Sequence, residues 1–499
     1  MKILLSLTII LVISFFSIRP LLIEGYFPMH DDTQPSRVYE MSQQLKERQF
    51  PVRWVADLGY GYGYPLFNFY APLPYYIGSL FNLSGFNSID SAKIMMGIGM
   101  LLAGTTMFFL AKELGGYILG ITASLLYQFA PYHALDLYVR GAVGEVYAYA
   151  LLPIAVLGAV LIFKSKYKKG MIIYALGTFL VLTSHNILGM IFLYFSFFVL
   201  VFSFIFFLAK KVSKKMVISL LKGLLLGVGL SSFFILPAFL EKDLTKVSSL
   251  TMKGSNFSDH FVYLNQLWDF PWGYGGSAPG LDDGLSFKIG KINILISLFA
   301  VMIFIHFVLN NKRKKENKLN VVFYILVLLT FISIFLTVDI SQTLWEVLPN
   351  FFYIQYPWRF LNFILLFLCM ITSLGLSEST RLLKLSILII AVIAIITTHF
   401  KYFQPQYIYP LDEQKYISQK SLNWDISKIS DEYLPSSFIP PKSYSELLND
   451  PRTTDITNNP GQKINSPIRS VSNAISLLSF VLLTLIAGWS RKKDIVSID

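Results

Sequence analysis

Four short stretches of this 499-residue chain concentrate side chains that could do chemistry. The first, "YFPMHDDTQPSR", sets His30, Asp31 and Asp32 side by side. The second, "PYHALDLYVRGAVGE", holds Asp136, Arg140 and Glu145. The third, "LTSHN", ends in His185 and Asn186, and the fourth, "QYPWRF", contains Arg359. Carboxylates can accept a proton, and guanidinium groups pair with phosphate oxygens in a bidentate manner. Each residue also has a plainer use. Asp32 could only cap a following helix, and adjacent residues on an extended segment point to opposite sides, so Asp31 and Asp32 need not share a site. Glu145 is favoured near a helix N-terminus by the helix dipole alone, and it could simply pair with Arg140. His185 could hydrogen-bond across a helix interface, and Arg359 could reach out to lipid headgroups.

An apolar framework has to position these groups. The chain is 54% hydrophobic and only 14% charged, which points away from a soluble globular fold. A bilayer core needs about 20 consecutive apolar residues per helix. Stretches at 3–23, 92–111, 117–135, 144–163, 171–187, 188–209, 217–237, 290–309, 320–338, 360–376, 385–400 and 471–490 meet or approach that length, giving about twelve spans. The polar groups fall near span ends, where an ionisable residue is a functional candidate. The net charge of +12 comes from clusters at 164–169, 210–215, 312–318 and 491–493. All fall on one side under this span order. That is the positive-inside pattern, so it implies cytoplasmic N- and C-termini in a multi-pass cell-membrane protein and no nucleic-acid partner. Residues 1–23 read as a retained span, since no small-x-small cleavage site follows. Cys369 is the only cysteine, which excludes an intrachain disulfide.

The connections assigned to the cytoplasm are too short for a nucleotide-binding βαβ unit of about 30 residues. The long loops, 24–91, 238–289 and 401–470, fall on the outer side. Within the first, "DTQPSRVYEMSQQLKERQF" predicts a helix over about 33–49, capped by Asp32 or Thr33, with Pro35 in its first turn. Val38, Met41 and Leu45 share one face, with Arg37, Glu40, Lys46 and Glu47 elsewhere, so the helix is expected to lie along the membrane surface. Residues 54–78 are dense in aromatic residues suited to the headgroup layer. Their GYGYG run lacks the context of a phosphate loop. Pro357 restricts Tyr356 and predicts an extended approach to the tenth span. The organisation read from this pattern is a transmembrane module over 1–400 that includes loops 24–91 and 238–289. An outer polar cap over 401–470 follows, and then a last helix with its tail over 471–499.

One span, a long loop opening with an acid, a surface helix, and a second acidic loop among further spans: this order resembles the membrane glycosyltransferases of the GT-C superfamily. More closely, "HDD" (30–32), "FPVRW" (50–54), "GYPLFNFYAPLPYY" (63–76), "LYVRGAVGE" (137–145), "LTSHN" (182–186) and "QYPWRF" (355–360) resemble the family labelled membrane protein 6-pyruvoyl-tetrahydropterin synthase-related. The chain offers no zinc-binding histidines of a soluble pterin enzyme. The resemblance runs to about residue 400. It implies an all-α polytopic membrane protein with a GT-C-like bundle and outer-face amphipathic helices. It also implies transfer of a sugar from a polyprenyl-phosphate donor, met in the plane of the membrane lipid, to a glycan, lipid or protein acceptor in the cell envelope. Under it Asp31 is the candidate base, with Asp32 and Glu145 as further catalytic candidates. Arg140, Arg359 and His185 are candidates for the donor phosphate, and His30, Asp136 and Asn186 complete the set. Some superfamily members use a divalent cation, which Asp31 and an acid of the second loop could hold; the sequence leaves this open. The other readings are a glycolipid or lipid transporter and a non-catalytic envelope-assembly factor. A coupled transporter usually carries ionisable groups near the bilayer midplane, whereas the spans at 320–338, 360–376 and 385–400 have none there.

Overall fold

Backbone hydrogen bonds in a bilayer must be made internally, and a chain this apolar meets that demand with helices. The computed structural model describes residues 1–247, 257–310, 318–348, 350–450 and 466–495. Among them strand pairing is confined to isolated bridges such as Tyr26–Tyr409 and Val55–Tyr64. Ten helices among the described residues are long and apolar enough to cross a membrane.

Two of the expected spans take another form. The 117–135 stretch is split. Helix Tyr117–Gln128 ends, Ala130 turns extended (φ −61°, ψ 135°), and Pro131 opens a second helix, Pro131–Tyr138. A residue before proline is pushed out of the helical region, and proline suits a helix's first turn. The 171–187 stretch becomes helix Tyr167–Ser184, which starts with Lys168 and Lys169 and stops where His185 turns extended (φ −157°, ψ 123°). The apolar run left between those two limits is short.

The chain divides into two units, Met1–Asp32 with Met96–Ser165 and Thr251–Pro410, and Thr33–Met95 with Lys166–Leu250 and Leu411–Asp499. In the first unit, helix Leu361–Gly375 is buried along nearly its whole length and packs on helices Tyr117–Gln128, Lys291–Leu309 and Lys318–Thr337. Small hydroxyls tie it in: Ser373 Oγ donates to the Ala111 carbonyl at 2.7 Å, and Ser297 Oγ to the Leu368 carbonyl at 3.1 Å. In the second unit, helix Lys214–Leu240 packs on Tyr167–Ser184 and on Pro467–Ile495. A Cβ at Gly227 would collide with the Thr178 side chain, so glycine is what allows this close crossing.

The helix expected to lie on the membrane surface is packed inside the second unit instead. It runs Gln34–Lys46 with Pro35 in its first turn. Thr33 holds the N-cap position without a side-chain capping bond, so by position the capping role read for Asp32 falls to Thr33. Val38 and Met41 are buried, but so are Arg37 and Glu40. Arg37 donates to Tyr75 OH at 3.4 Å and to Ser430 Oγ at 3.2 Å, and its guanidinium lies 4.3 Å from the Tyr70 ring centre. These partners come from distant sequence, so local periodicity could not reveal that the polar face is covered. Glu40 Oε2 accepts from the Asp57 amide at 3.4 Å, while Oε1 has no partner among the described residues. Burial, then the Asp57 charge, push this carboxyl well above the ordinary glutamate range. Of the expected 401–470 cap, 401–410 belongs to the first unit and 411–450 to the second, while 451–465, like the basic cluster at 312–317, lies outside the described residues.

Candidate active site

The second polar stretch folds as a tight reversal. Helix Pro131–Tyr138 ends, and Gly141 takes a left-handed conformation (φ +64°) that residues with a Cβ rarely adopt. Its amide donates to the Leu137 carbonyl at 3.1 Å, and Ala142 N donates to the Asp136 carbonyl at 2.8 Å. Helix Val143–Phe163 then starts with Glu145 in its first turn. The reversal brings three charged side chains together. Arg140 Nη1 donates to Asp136 Oδ1 at 2.6 Å and to Glu145 Oε2 at 3.0 Å, and Nη2 donates to Glu145 Oε1 at 2.9 Å.

The fourth stretch adds another arginine. Tyr356 is extended (φ −124°, ψ 110°), as Pro357 predicts, and a single 3-10 turn, Pro357–Phe360, leads into helix Leu361–Gly375. Arg359 Nε donates to Glu145 Oε1 at 2.9 Å, and its Nη1 donates to the Ile354 carbonyl at 2.6 Å and to Gln355 Oε1 at 3.1 Å. Gln355 itself sits at φ +64°, ψ −48°, a conformation that costs a non-glycine residue energy and that the surroundings must hold. Both arginines are buried, with 8% of Arg140 and 6% of Arg359 exposed. This is a hydrogen-bonded lattice, not the geometry of an arginine reaching out to headgroups.

Aromatic rings wall the lattice. Tyr356 and Trp358 stack at 4.4 Å, and Phe287 stacks on Trp358 at 4.6 Å. The Arg359 guanidinium lies 4.8 Å from the Tyr356 ring centre and that of Arg140 6.0 Å from Trp358, within or at the edge of cation–π range. Asp136 is fully buried, and its Oδ2 has no partner among the described residues. Burial, then the Glu145 charge, push its carboxyl well above the ordinary aspartate range, against the pull of Arg140.

The opening stretch reaches this cluster through its main chain. His30 N donates to the Val139 carbonyl at 3.0 Å, and Asp31 N to the Arg140 carbonyl at 2.9 Å. His30 and Asp31 are exposed and Asp32 is half-buried. His185 and Asn186 belong to the second unit. There His185 caps helix Asn186–Leu208, its Nδ1 accepting from Leu188 N at 3.1 Å, and Asn186 Nδ2 donates to the Phe69 carbonyl at 2.7 Å. Asn186 thus bonds a separate segment, and His185 caps the helix that follows it.

A family profile described as "6-pyruvoyl-tetrahydropterin synthase related domain; membrane protein" matches residues 67–405. The chain belongs to this family. No curated protein matches it. Among solved structures, the apo oligosaccharyltransferase of Archaeoglobus fulgidus matches this family member with a TM-score of 0.54 at 12% identity, over 88% of this chain and 61% of that one. The same enzyme tethered to an acceptor peptide containing the NVT sequon gives 0.50 at 11%, over 88% and 60%. The arabinofuranosyltransferase AftD from Mycobacteria gives 0.47 at 13%, over 81% and 27%. The chain therefore spans about three fifths of the oligosaccharyltransferase, and it shares the fold of that structure.

Among the described residues no three or more His, Cys, Asp or Glu side chains gather as a metal site. The carboxylates that do gather face guanidinium groups, a donor set that does not fit a divalent cation. Sequence reasoning gave Gln355, Tyr356 and Trp358 no role in the site, although all three stand in the quoted "QYPWRF". It also left Arg53 and Asn68 as motif letters. In the second unit Arg53 Nη1 donates to Asn68 Oδ1 at 3.3 Å, and Asn68 Nδ2 donates to Glu241 Oε2 at 2.8 Å. Arg469 holds the same carboxylate at 2.9 Å.

Proposed function

We propose that this protein is a GT-C-type glycosyltransferase that moves a sugar from a polyprenyl-phosphate donor to a cell-envelope acceptor on the outer face of the membrane. The observation that carries this reading is the bond from Asp31 N to the Arg140 carbonyl, which ties an exposed carboxylate to a buried lattice of two arginines. In the reaction the acceptor hydroxyl oxygen attacks the anomeric carbon of the sugar. The bond from that carbon to the phosphate oxygen breaks, and polyprenyl phosphate leaves with the electron pair. Asp31 takes the hydroxyl proton as general base. Arg140 and Arg359, held rigid by Glu145, present fixed positive charge to the departing phosphate, a preorganised arrangement that is effective where water is excluded. Among the described residues the bonds of Arg359 use Nε and Nη1, which leaves Nη2 for a phosphate oxygen. The reading takes no step through a metal ion.

The shared fold supports the reaction class, and the one-sided Lys/Arg clusters support the sidedness. The test uses the full chain in nanodiscs, with lipid-linked sugars offered alongside cell-envelope extract. Free polyprenyl phosphate and a glycosylated acceptor should form together. Donor that crosses a bilayer intact, with no phosphate released, would instead make the protein a transporter.

A further inference from the structure

Within the first unit lies an open cavity of about 630 Å³ whose lining includes Asp269, Phe270, Trp272, Lys288, Lys401 and Tyr402. The volume is in the range of small-molecule sites. Its charges do not balance. Lys288 is buried, donates to Tyr402 OH at 3.1 Å, and has Asp269 Oδ1 3.9 Å away. The other oxygen of Asp269 is taken by Lys291 at 2.5 Å. The Lys401 amine lies 5.2 Å from the Tyr402 ring centre. Lys288 and Lys291 thus share one carboxylate, and a buried amine without a full counter-charge favours an anion.

The wall is aromatic as well as cationic. Trp272 stacks on Tyr402 at 4.6 Å. Its indole N–H is buried and has no partner among the described residues. An aromatic face carries negative charge density and attracts the C–H edge of a sugar ring as well as a cation. The cavity also adjoins the opening stretch: Tyr274 OH donates to the Gln404 carbonyl at 3.1 Å, and His30 Nε2 lies 3.3 Å from the Tyr274 carbonyl.

We propose that this cavity binds a phosphate-bearing, polyhydroxylated headgroup, with Lys288 and Lys401 on the phosphate and the Trp272–Tyr402 pair backing the ring. The inference rests on the glycosyltransferase reading for the choice of a sugar, but binding is measured without transfer, so the two can fail separately. The probes are glucose 1-phosphate, inorganic phosphate and glucose, titrated by calorimetry into the full chain in phosphatidylcholine nanodiscs. Glucose 1-phosphate should bind at least tenfold more tightly than either part alone. Lys401→Met, at an exposed position, and Trp272→Phe should each weaken it about tenfold or more. Lys288→Arg, which keeps the buried charge, should stay within threefold, and Lys288→Met should not. If phosphatidylglycerol added to the disc competes, the bulk-lipid headgroup is the occupant; if it does not, the sugar phosphate is. Equal affinity for glucose and glucose 1-phosphate, or unchanged binding by Lys401→Met, would overturn the proposal.

Discussion

Glu145 holds the charge balance of the candidate site, because both arginines pair with it at 2.9 Å. Removing one partner from a buried ion cluster leaves uncompensated charge and costs about 3–5 kcal/mol. Glu145→Gln keeps the shape and loses that charge, so a loss of stability on this scale is expected in detergent-solubilised protein followed by chemical unfolding. A loss below about 1 kcal/mol, the scale of exposed pairs, would mean the cluster is hydrated. Arg359→Lys separates grip from anchoring. Lysine keeps the positive charge but not the planar fork that reaches Glu145, Ile354 and Gln355 together. One lost charge-assisted hydrogen bond is worth about 1.5–3 kcal/mol, so transfer should fall about tenfold or more. Wild-type kinetics in the lysine form would take Arg359 out of the phosphate site. The residue types at this site were legible in the sequence, since unusual charges near span ends stand out. The partnership of Arg359 with Glu145 was not, because the pair is 214 positions apart and no local pattern links them.

At the scale of elements, helix Gln34–Lys46 shows where local reading stops. Its limits follow from Pro35 and from turn chemistry, but its burial follows from Tyr70, Tyr75 and Ser430, which only the folded chain supplies. The break at Ala130–Pro131 was open to the same proline rule that placed Tyr356 correctly; hydropathy alone ran the segment through it. Glu40 gives this helix a pH signature. Its folded-state pKa is raised by burial and by Asp57, so the folded protein holds the proton more tightly than the unfolded chain does. Stability should therefore fall as pH rises from the ordinary glutamate range toward the raised value, because above the unfolded pKa unfolding releases the proton. Glu40→Gln removes this term. Melting curves of the variant and the wild type should diverge as pH rises through that window, with the variant the more stable. Parallel curves would show that Glu40 is ionised and solvated.

At the scale of the whole molecule, the spans were the most legible feature, because apolar length is a local property and the bilayer sets it. Among the described residues, ten of the expected segments appear as helices long and apolar enough to cross. The proposed sidedness rests on the Lys/Arg asymmetry, requires the broken 117–138 segment and helix Tyr167–Ser184 to cross as well, and is tested by labelling. In a Cys369→Ser background, single cysteines at Ser84 and Asp412 should react with an impermeant thiol reagent added to intact cells, and cysteines at Lys168 and Lys211 should not; all four native side chains are exposed. Labelling at Lys168 from outside would invert the topology and move the active face. The central claim is that Asp31 takes the acceptor proton beside the arginine lattice. Its most direct test is the rate of polyprenyl-phosphate release by purified wild type, Asp31→Asn and Asp32→Asn at saturating donor. Loss of a general base typically costs about 100-fold or more, so Asp31→Asn should fall by that much with an unchanged melting temperature, while Asp32→Asn stays within a few-fold. Equal and mild effects of the two substitutions would contradict the assignment.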